Sequence, residues 1–186
     1  FAGNQNLTPN LDKLASENIS FTNLFSNGTR SVRGLAALSS GTLPIAGNEV
    51  IKRNKSQNDY FTIASLLKPY GYKSSFIYGG EARFDNMRGW YLGNGFDEVI
   101  EEKDYKNPIF KSTWGVSDED LVIKANEMFK DYSKNGENFV SVMFSSSNHM
   151  PFELPLGKIE FEKDIPQNSV ENAIKYADFA IGKFFE

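Results

Sequence analysis

Thr29, Arg30, Ser31 and Arg33 are crowded together in the stretch FSNGTRSVRGLAALSSG, Phe25 to Gly41, just ahead of a run of small and apolar residues that reads as a helix. A helix start exposes free backbone N–H groups and a partial positive charge, so a hydroxyl there sits where a phosphate or sulfate is welcome. A hydroxyl nucleophile also needs its electrophile stabilised, together with a base or a metal. Arg30 and Arg33 have the fork geometry for bidentate anion recognition. The plainer alternatives stay open: Ser31 or Thr29 capping the helix, and each arginine bridging to a surface carboxylate. A second group, Asn148 and His149 in SSNHMPF, follows the apolar run NFVSVMFSSS. His149 is the single histidine, so a Ser-His-Asp triad has only one possible base, and a multi-histidine metal site cannot be built. Its plain reading is a loop imidazole bonded to a backbone carbonyl.

The elements that must position these groups follow from periodicity and punctuation. LTPNLDKLASEN has Thr8 as N-cap and Pro9 at the first helical position, with Leu11 and Leu14 on one face. ISFTNLF, Ile19 to Phe25, alternates apolar and polar residues and predicts a strand, making Gly28–Ser31 a strand-to-helix turn. YFTIASLLKPYGY predicts a helix stopped by Pro69 and Gly71, and KSSFIYGG the strand after it, a βαβ-type rhythm. RFDNMRGWYLGNGFDEVI predicts a short helix, a turn and a short strand. SDEDLVIKANEMFKDYSKN is an amphipathic helix capped by Ser117, with Asp118, Glu119 and Asp120 serving its dipole. NFVSVMFSSS predicts a strand buried in a parallel sheet, and SVENAIKYADFAIGKFFE a closing helix. In open α/β sheets, sites gather at strand carboxyl ends, where both reactive groups fall. Trp114 in STWGVSDED is either core or a ligand-stacking ring, and Asp85 and Asn86 in FDNM either cap a helix or touch substrate. YGGEARFDN matches no dinucleotide or Walker pattern.

Composition bounds the rest. The 186 residues suffice for one sizeable domain, and 40% apolar with 14% aromatic residues is an ordinary folded composition. A net charge of −4 with both signs spread along the chain excludes a nucleic-acid groove built on bulk charge, so anion binding must be local. Cysteine is absent, which excludes disulfides and thiolate metal sites. No run approaches the length of a membrane span. The abrupt FAGNQN start and the end inside an amphipathic helix lead to the expectation of a fragment.

NLTPNLDKLASENISFTNLFSNGTRSVRGLAAL, FIYGGEARFDNMRGWYLGNGFDEVI, WGVSDEDL and SSNHMPF together resemble the sulfatase-like branch of the alkaline phosphatase superfamily. The resemblance is greatest to the lipoteichoic acid synthase and phosphoglycerol transferase group. It covers nearly the whole chain and implies an α/β fold, a three-layer α/β/α sandwich around a mainly parallel sheet, incomplete in this piece. Residues 1–186 would form part of one catalytic domain, with sheet edges left exposed for self-association. The related pattern GTRTVRGLEAL puts the nucleophile at Ser31, with Thr29 as fallback, and SNHxP puts a substrate-binding histidine at His149. Arg33, Arg30, Trp114, Asp85 and Asn148 join it as implied substrate-binding residues. Where the synthases read FWNR, this chain has Asp85 and Met87, a departure at the glycerophosphate contact.

The resemblance further implies a divalent metal (Mn, Mg or Zn) held by Ser31, by an upstream Glu and by a downstream Asp-His motif, the last two expected outside this chain. The implied reaction moves phosphoglycerol, or a phosphoethanolamine-type group, from a phospholipid head group to a glycan or glycerol acceptor through a covalent phospho-enzyme. That would place it in a bacterial inner-membrane protein with its catalytic domain in the periplasm or on the outer face of the cell membrane, with this piece inactive alone and without metal. The alternatives are a sulfatase or phosphodiesterase hydrolase, and a non-catalytic module that binds anionic glycans.

Overall fold

The computed structural model describes residues 6–43 and 45–186. The opening Phe1–Gln5, beside which the resemblance places the Glu motif, lie outside the described residues. The elements run α1 (Pro9–Glu17), α2 (Ser31–Ser40), α3 (Ile63–Leu67), β1 (Lys73–Tyr78), α4 (Met87–Gly93), β2 (Glu98–Ile100), β3 (Lys111–Ser112), β4 (Gly115–Val116), α5 (Asp118–Lys134), β5 (Phe139–Phe144) and α6 (Val170–Phe185). β2, β1 and β5 form a three-stranded sheet in that order, and both pairings are parallel. The β1–β5 register runs from Lys73 opposite Phe139 to Tyr78 opposite Phe144, so the carboxyl ends of the strands open at one end of the sheet.

Alternation along β1 sorts the two faces. Phe76 and Tyr78 join α2, α4 and Val99 in one core, where Phe76 stacks on Tyr91 at 3.9 Å between ring centres. Ile77 points the other way, against Leu121, Val122 and Ala125 of α5 and Ala180 of α6. Helices cover both faces, which is the α/β/α sandwich. The serines of β1 stay buried because each hydroxyl has a partner: Ser74 donates to Asp97 at 2.9 Å, and Ser75 and Ser141 share a bond of 2.6 Å.

Three local expectations are corrected. Ile19–Phe25 forms no strand: Ile19, Phe21, Leu24 and Phe25 are all exposed, and among the described residues no strand pairs with this stretch. Alternation alone does not make a strand where the backbone finds no ladder partner. The strand buried on both faces is β1, while β5 is only half-buried and its outer edge has no strand partner among the described residues. Thr8 holds the N-cap position of α1 without a capping bond; the buried Asp178 carboxylate of α6 takes the N–H groups of Asn10 and Leu11 at 3.0 and 2.8 Å instead. The β3–β4 hairpin has strands of two residues each, too short for periodicity to register.

Candidate functional site

Helix α2 begins without a side-chain cap. Arg30 occupies the N-cap position, Ser31 is the first helical residue, and among the described residues neither the Ser31 nor the Thr29 hydroxyl bonds a backbone N–H. The capping reading is thereby removed, and Ser31 is left exposed at the positive end of a helix. The turn into it depends on Gly28, whose φ of +115° suits glycine, and where an added Cβ would press on the Arg33 side chain at 3.0 Å.

The second group is assembled by α5. Asp118, the first residue of that helix, is buried, and its Oδ1 accepts the N–H groups of Ser146 and Ser147 at 2.9 and 3.0 Å. The Ser147 hydroxyl accepts the Asp118 N–H in return at 3.1 Å. This exchange shapes the loop after β5. Burial pushes the Asp118 carboxyl up, against the lowering effect of those bonds. The β3–β4 hairpin clasps the loop from outside: Trp114 Nε1 donates to the Met150 carbonyl at 2.7 Å, and Glu153 accepts the Thr113 N–H at 2.6 Å. The Trp114 and His149 rings lie 4.0 Å apart, and Phe84 meets Trp114 edge-on at 5.6 Å. His149 Nδ1 bonds the Met150 carbonyl at 2.8 Å, so the plain reading of that ring is realised while Nε2 remains for a ligand. The hairpin can come this close because an added Cβ on Gly80 would sit 2.5 Å from the Trp114 carbonyl. The glycines of YGG therefore serve backbone packing.

Ser31, Arg30, Trp114, Asp85, Asn148 and His149 all line one cavity of about 630 Å³ at the carboxyl ends of β1 and β5. Two side chains named from the sequence lie elsewhere. Arg33 turns away to the Gly47 carbonyl at 3.1 Å and to Glu49 at 3.7 Å, and Thr29 is exposed outside the lining. The carboxylate-bridge alternative is thus the one Arg33 adopts in this structure.

The structure adds Lys52, Glu49 and Tyr78 to the wall. Lys52 Nζ lies 2.6 Å from Asp85 Oδ1. Glu49 is held below the usual carboxylate range by its own backbone N–H, then by Lys52, Arg33 and Arg30, against partial burial. Burial, with Asp85 and Glu102 nearby, pushes the Tyr78 phenol up to about 12, so it stays a neutral hydroxyl. Lys52 carried no periodic or motif signal. Asp118 resembles any first-turn acid in sequence; its carboxylate accepts loop N–H groups, as Asp120 also does from Ile109 at 2.7 Å.

A family model described as Sulfatase matches residues 1–186. Phosphoglycerol transferase I of Xanthomonas campestris pv. campestris (strain B100) is 28% identical over 191 residues, covering 95% of this chain and 27% of that protein. The chain therefore spans about a quarter of the length of that curated relative. Among solved structures, an alkaline phosphatase superfamily protein from Vibrio parahaemolyticus superposes with a TM-score of 0.92 at 53% identity, over 97% of this chain and 44% of the other. The lipoteichoic acid synthase LtaP from Listeria monocytogenes superposes at 0.87 with 26% identity, over 97% and 46%.

Proposed function

The chain belongs to the sulfatase family, and on that premise we propose that it carries the nucleophile and the phosphate-binding side of a phosphotransferase active site. The transferred group is phosphoglycerol or a phosphoethanolamine-type group, the donor a phospholipid head group, and the acceptor a glycan or glycerol hydroxyl of the cell envelope. The reaction belongs in the periplasm or on the outer face of the cell membrane, with attachment to the inner membrane through segments other than these; among the described residues no helix is long and apolar enough to cross a membrane. A relative named phosphoglycerol transferase I and a neighbour named lipoteichoic acid synthase support the reading.

The observation that carries it is the uncapped Ser31 hydroxyl at the start of α2, sharing one cavity with Arg30 and His149. Ser31 Oγ bonds to phosphorus as the bond from phosphorus to the diacylglycerol oxygen breaks, and the serine proton ends on that leaving oxygen. The acceptor hydroxyl then takes phosphorus from Ser31 and returns a proton to it. The free N–H groups at the start of α2 and the Arg30 guanidinium hold the non-bridging oxygens through both steps. His149, its Nδ1 held by the Met150 carbonyl, lines the same cavity and completes the phosphate side.

A divalent ion (Mn, Mg or Zn) is part of the family reading. Among the described residues no group of three or more His, Cys, Asp or Glu could hold one. Among the described residues, Ser31 Oγ is what this chain would offer such an ion, which would supply Lewis-acid stabilisation of the phosphate oxygens when bound.

In the full-length protein incubated with a glycerophosphodiester donor, mass spectrometry of the acid-quenched enzyme is expected to find the phosphoryl group on Ser31. Ser31→Ala is expected to abolish the adduct and Thr29→Ala to retain it. A modified Thr29 would move the nucleophile by two residues. Ligand binding without any adduct would replace the transferase with a binding module.

A further inference from the structure

The β3–β4 hairpin is too small to hold its own direction. Its ladder has two pairs, Lys111 opposite Val116 and Ser112 opposite Gly115, and a two-stranded ribbon of that size is not stable alone. Yet its tip carries Trp114, whose ring lies 4.0 Å from that of His149 and whose Nε1 shares the Met150 carbonyl with His149 Nδ1. The aim of the tip is set at the root. There Asp120 is buried, and its carboxylate accepts from both ends of the hairpin. The Ile109 and Phe110 N–H groups reach it on the way in, at 2.7 and 3.2 Å, and the Ser117 hydroxyl on the way out, at 2.6 Å. The Ser117 N–H closes the root on the Phe110 carbonyl at 3.0 Å. A first-turn acid serves the helix dipole from the surface, and Ser117 already caps α5, so neither role requires this burial. Three donors replace the water that burial removes from the carboxylate. The other holds on the hairpin lie further out: Val116 donates to the Gly79 carbonyl at 2.9 Å, and Glu153 takes the Thr113 N–H at the exposed tip.

We propose that Asp120 is a positioning residue for the phosphate-binding side of the cavity, holding the hairpin so that Trp114 and His149 meet on the Met150 carbonyl. The inference rests on the phosphotransferase reading and adds to it a residue that does not line the cavity. At about 3.4 Å per residue the tip stands about 10 Å from the root. A tilt of about 10° at the root then moves Trp114 by about 2 Å, enough to break a hydrogen bond. The bond from Val116 to Gly79 is by itself a pivot. Asp120, bound to the residues that enter and leave the hairpin, stops rotation about it.

Hydrogen exchange at two indole N–H groups of the full-length protein separates positioning from folding. Trp114 reports on the hairpin tip, whereas buried Trp90, whose Nε1 donates to the Ser39 hydroxyl at 3.1 Å, reports on the core. Asp120→Asn sets an amide nitrogen against one of the two backbone N–H groups. It is expected to speed Trp114 exchange about tenfold and leave Trp90 unchanged. Glycerol phosphate, titrated by calorimetry, should bind Asp120→Asn about tenfold more weakly than wild type. With Trp114→Phe already present the same change should cost less than about twofold, because the ring through which Asp120 acts is gone. Ser117→Ala removes one donor and should give the same selective pattern at about threefold, which serves if the Asp120→Asn chain does not fold. Equal acceleration of both indoles, acceleration of neither, or additive losses of binding in the double variant would overturn the proposal. Selective acceleration at Trp114 with no glycerol phosphate bound by the wild type would sustain the hold on the hairpin and overturn only the phosphotransferase reading.

Discussion

The cavity has two walls built on different principles. One, carrying Lys52 and Asp85, consists of short turns fixed to the core: Asn94, buried at the end of α4, donates to the Ser56 and Trp90 carbonyls at 2.7 and 2.9 Å and accepts the Tyr60 N–H at 3.1 Å. The other carries Ser31 at the exposed start of α2, ahead of its buried residues Val32, Leu35 and Ala36, and His149 just past the buried Ser146 and Ser147. The stretch before Ser31 is exposed, and the His149 loop is shaped by one carboxylate and clasped by one hairpin. The first wall is fixed by the core, and the second is positioned by a few directed bonds. Mutations should therefore divide between those that unfold and those that disarm.

The largest expected effect is on the fixed wall. Asn94→Ala strands the Ser56 carbonyl and the Tyr60 N–H, while the Trp90 carbonyl keeps the Asn94 backbone N–H, and should cost roughly 2 kcal/mol or more, a large share of a domain's net stability. Thermal and denaturant unfolding of the full-length protein read this directly. A loss below about 1 kcal/mol would show that this wall is no more fixed than the other.

On the reactive wall the sign of the comparison reverses. His149→Gln preserves a donor for the Met150 carbonyl, so stability should hold while kcat/KM falls by roughly 10²-fold, the scale for losing one transition-state donor. Near-normal turnover would reduce the imidazole to a structural loop bond.

The division also tracks what the sequence disclosed. α5, α6, β1, α4 and β2 were legible because long apolar stripes, Ser caps and glycine stops act locally. The place of His149 was legible because a parallel sheet gathers its strand ends, whereas Ser31 reaches the same cavity from the start of α2 and not from the strand expected before it. Ile19–Phe25 misled because a strand exists only with a partner, and Lys52 was invisible because its role comes from a neighbour 33 positions away, Asp85. Asp118 was read as a dipole partner, since its real ligands, Ser146 and Ser147, arrive from another strand's end.

The smallest expected effect concerns that carboxylate. Asp118 Oδ1 holds two loop N–H groups, whereas buried Oδ2 has no hydrogen-bond partner among the described residues. In Asp118→Asn the amide oxygen can keep both bonds and the amide nitrogen falls where nothing was bonded, so the loop and turnover should survive. Burial raises the folded pKa above the unfolded value of about 3.9. In that window the folded state binds more protons, so this group's contribution to stability falls as pH rises from the unfolded pKa to the folded one, then levels off. The wild-type minus Asn difference in unfolding free energy, followed from pH 3 to 8, isolates that slope from the other carboxylates. A difference that moves in favour of the wild type with rising pH would mean that the Ser146 and Ser147 N–H groups outweigh burial. The loop would then be tied to α5 by an anion, and the reactive wall would be more firmly held than its exposure suggests.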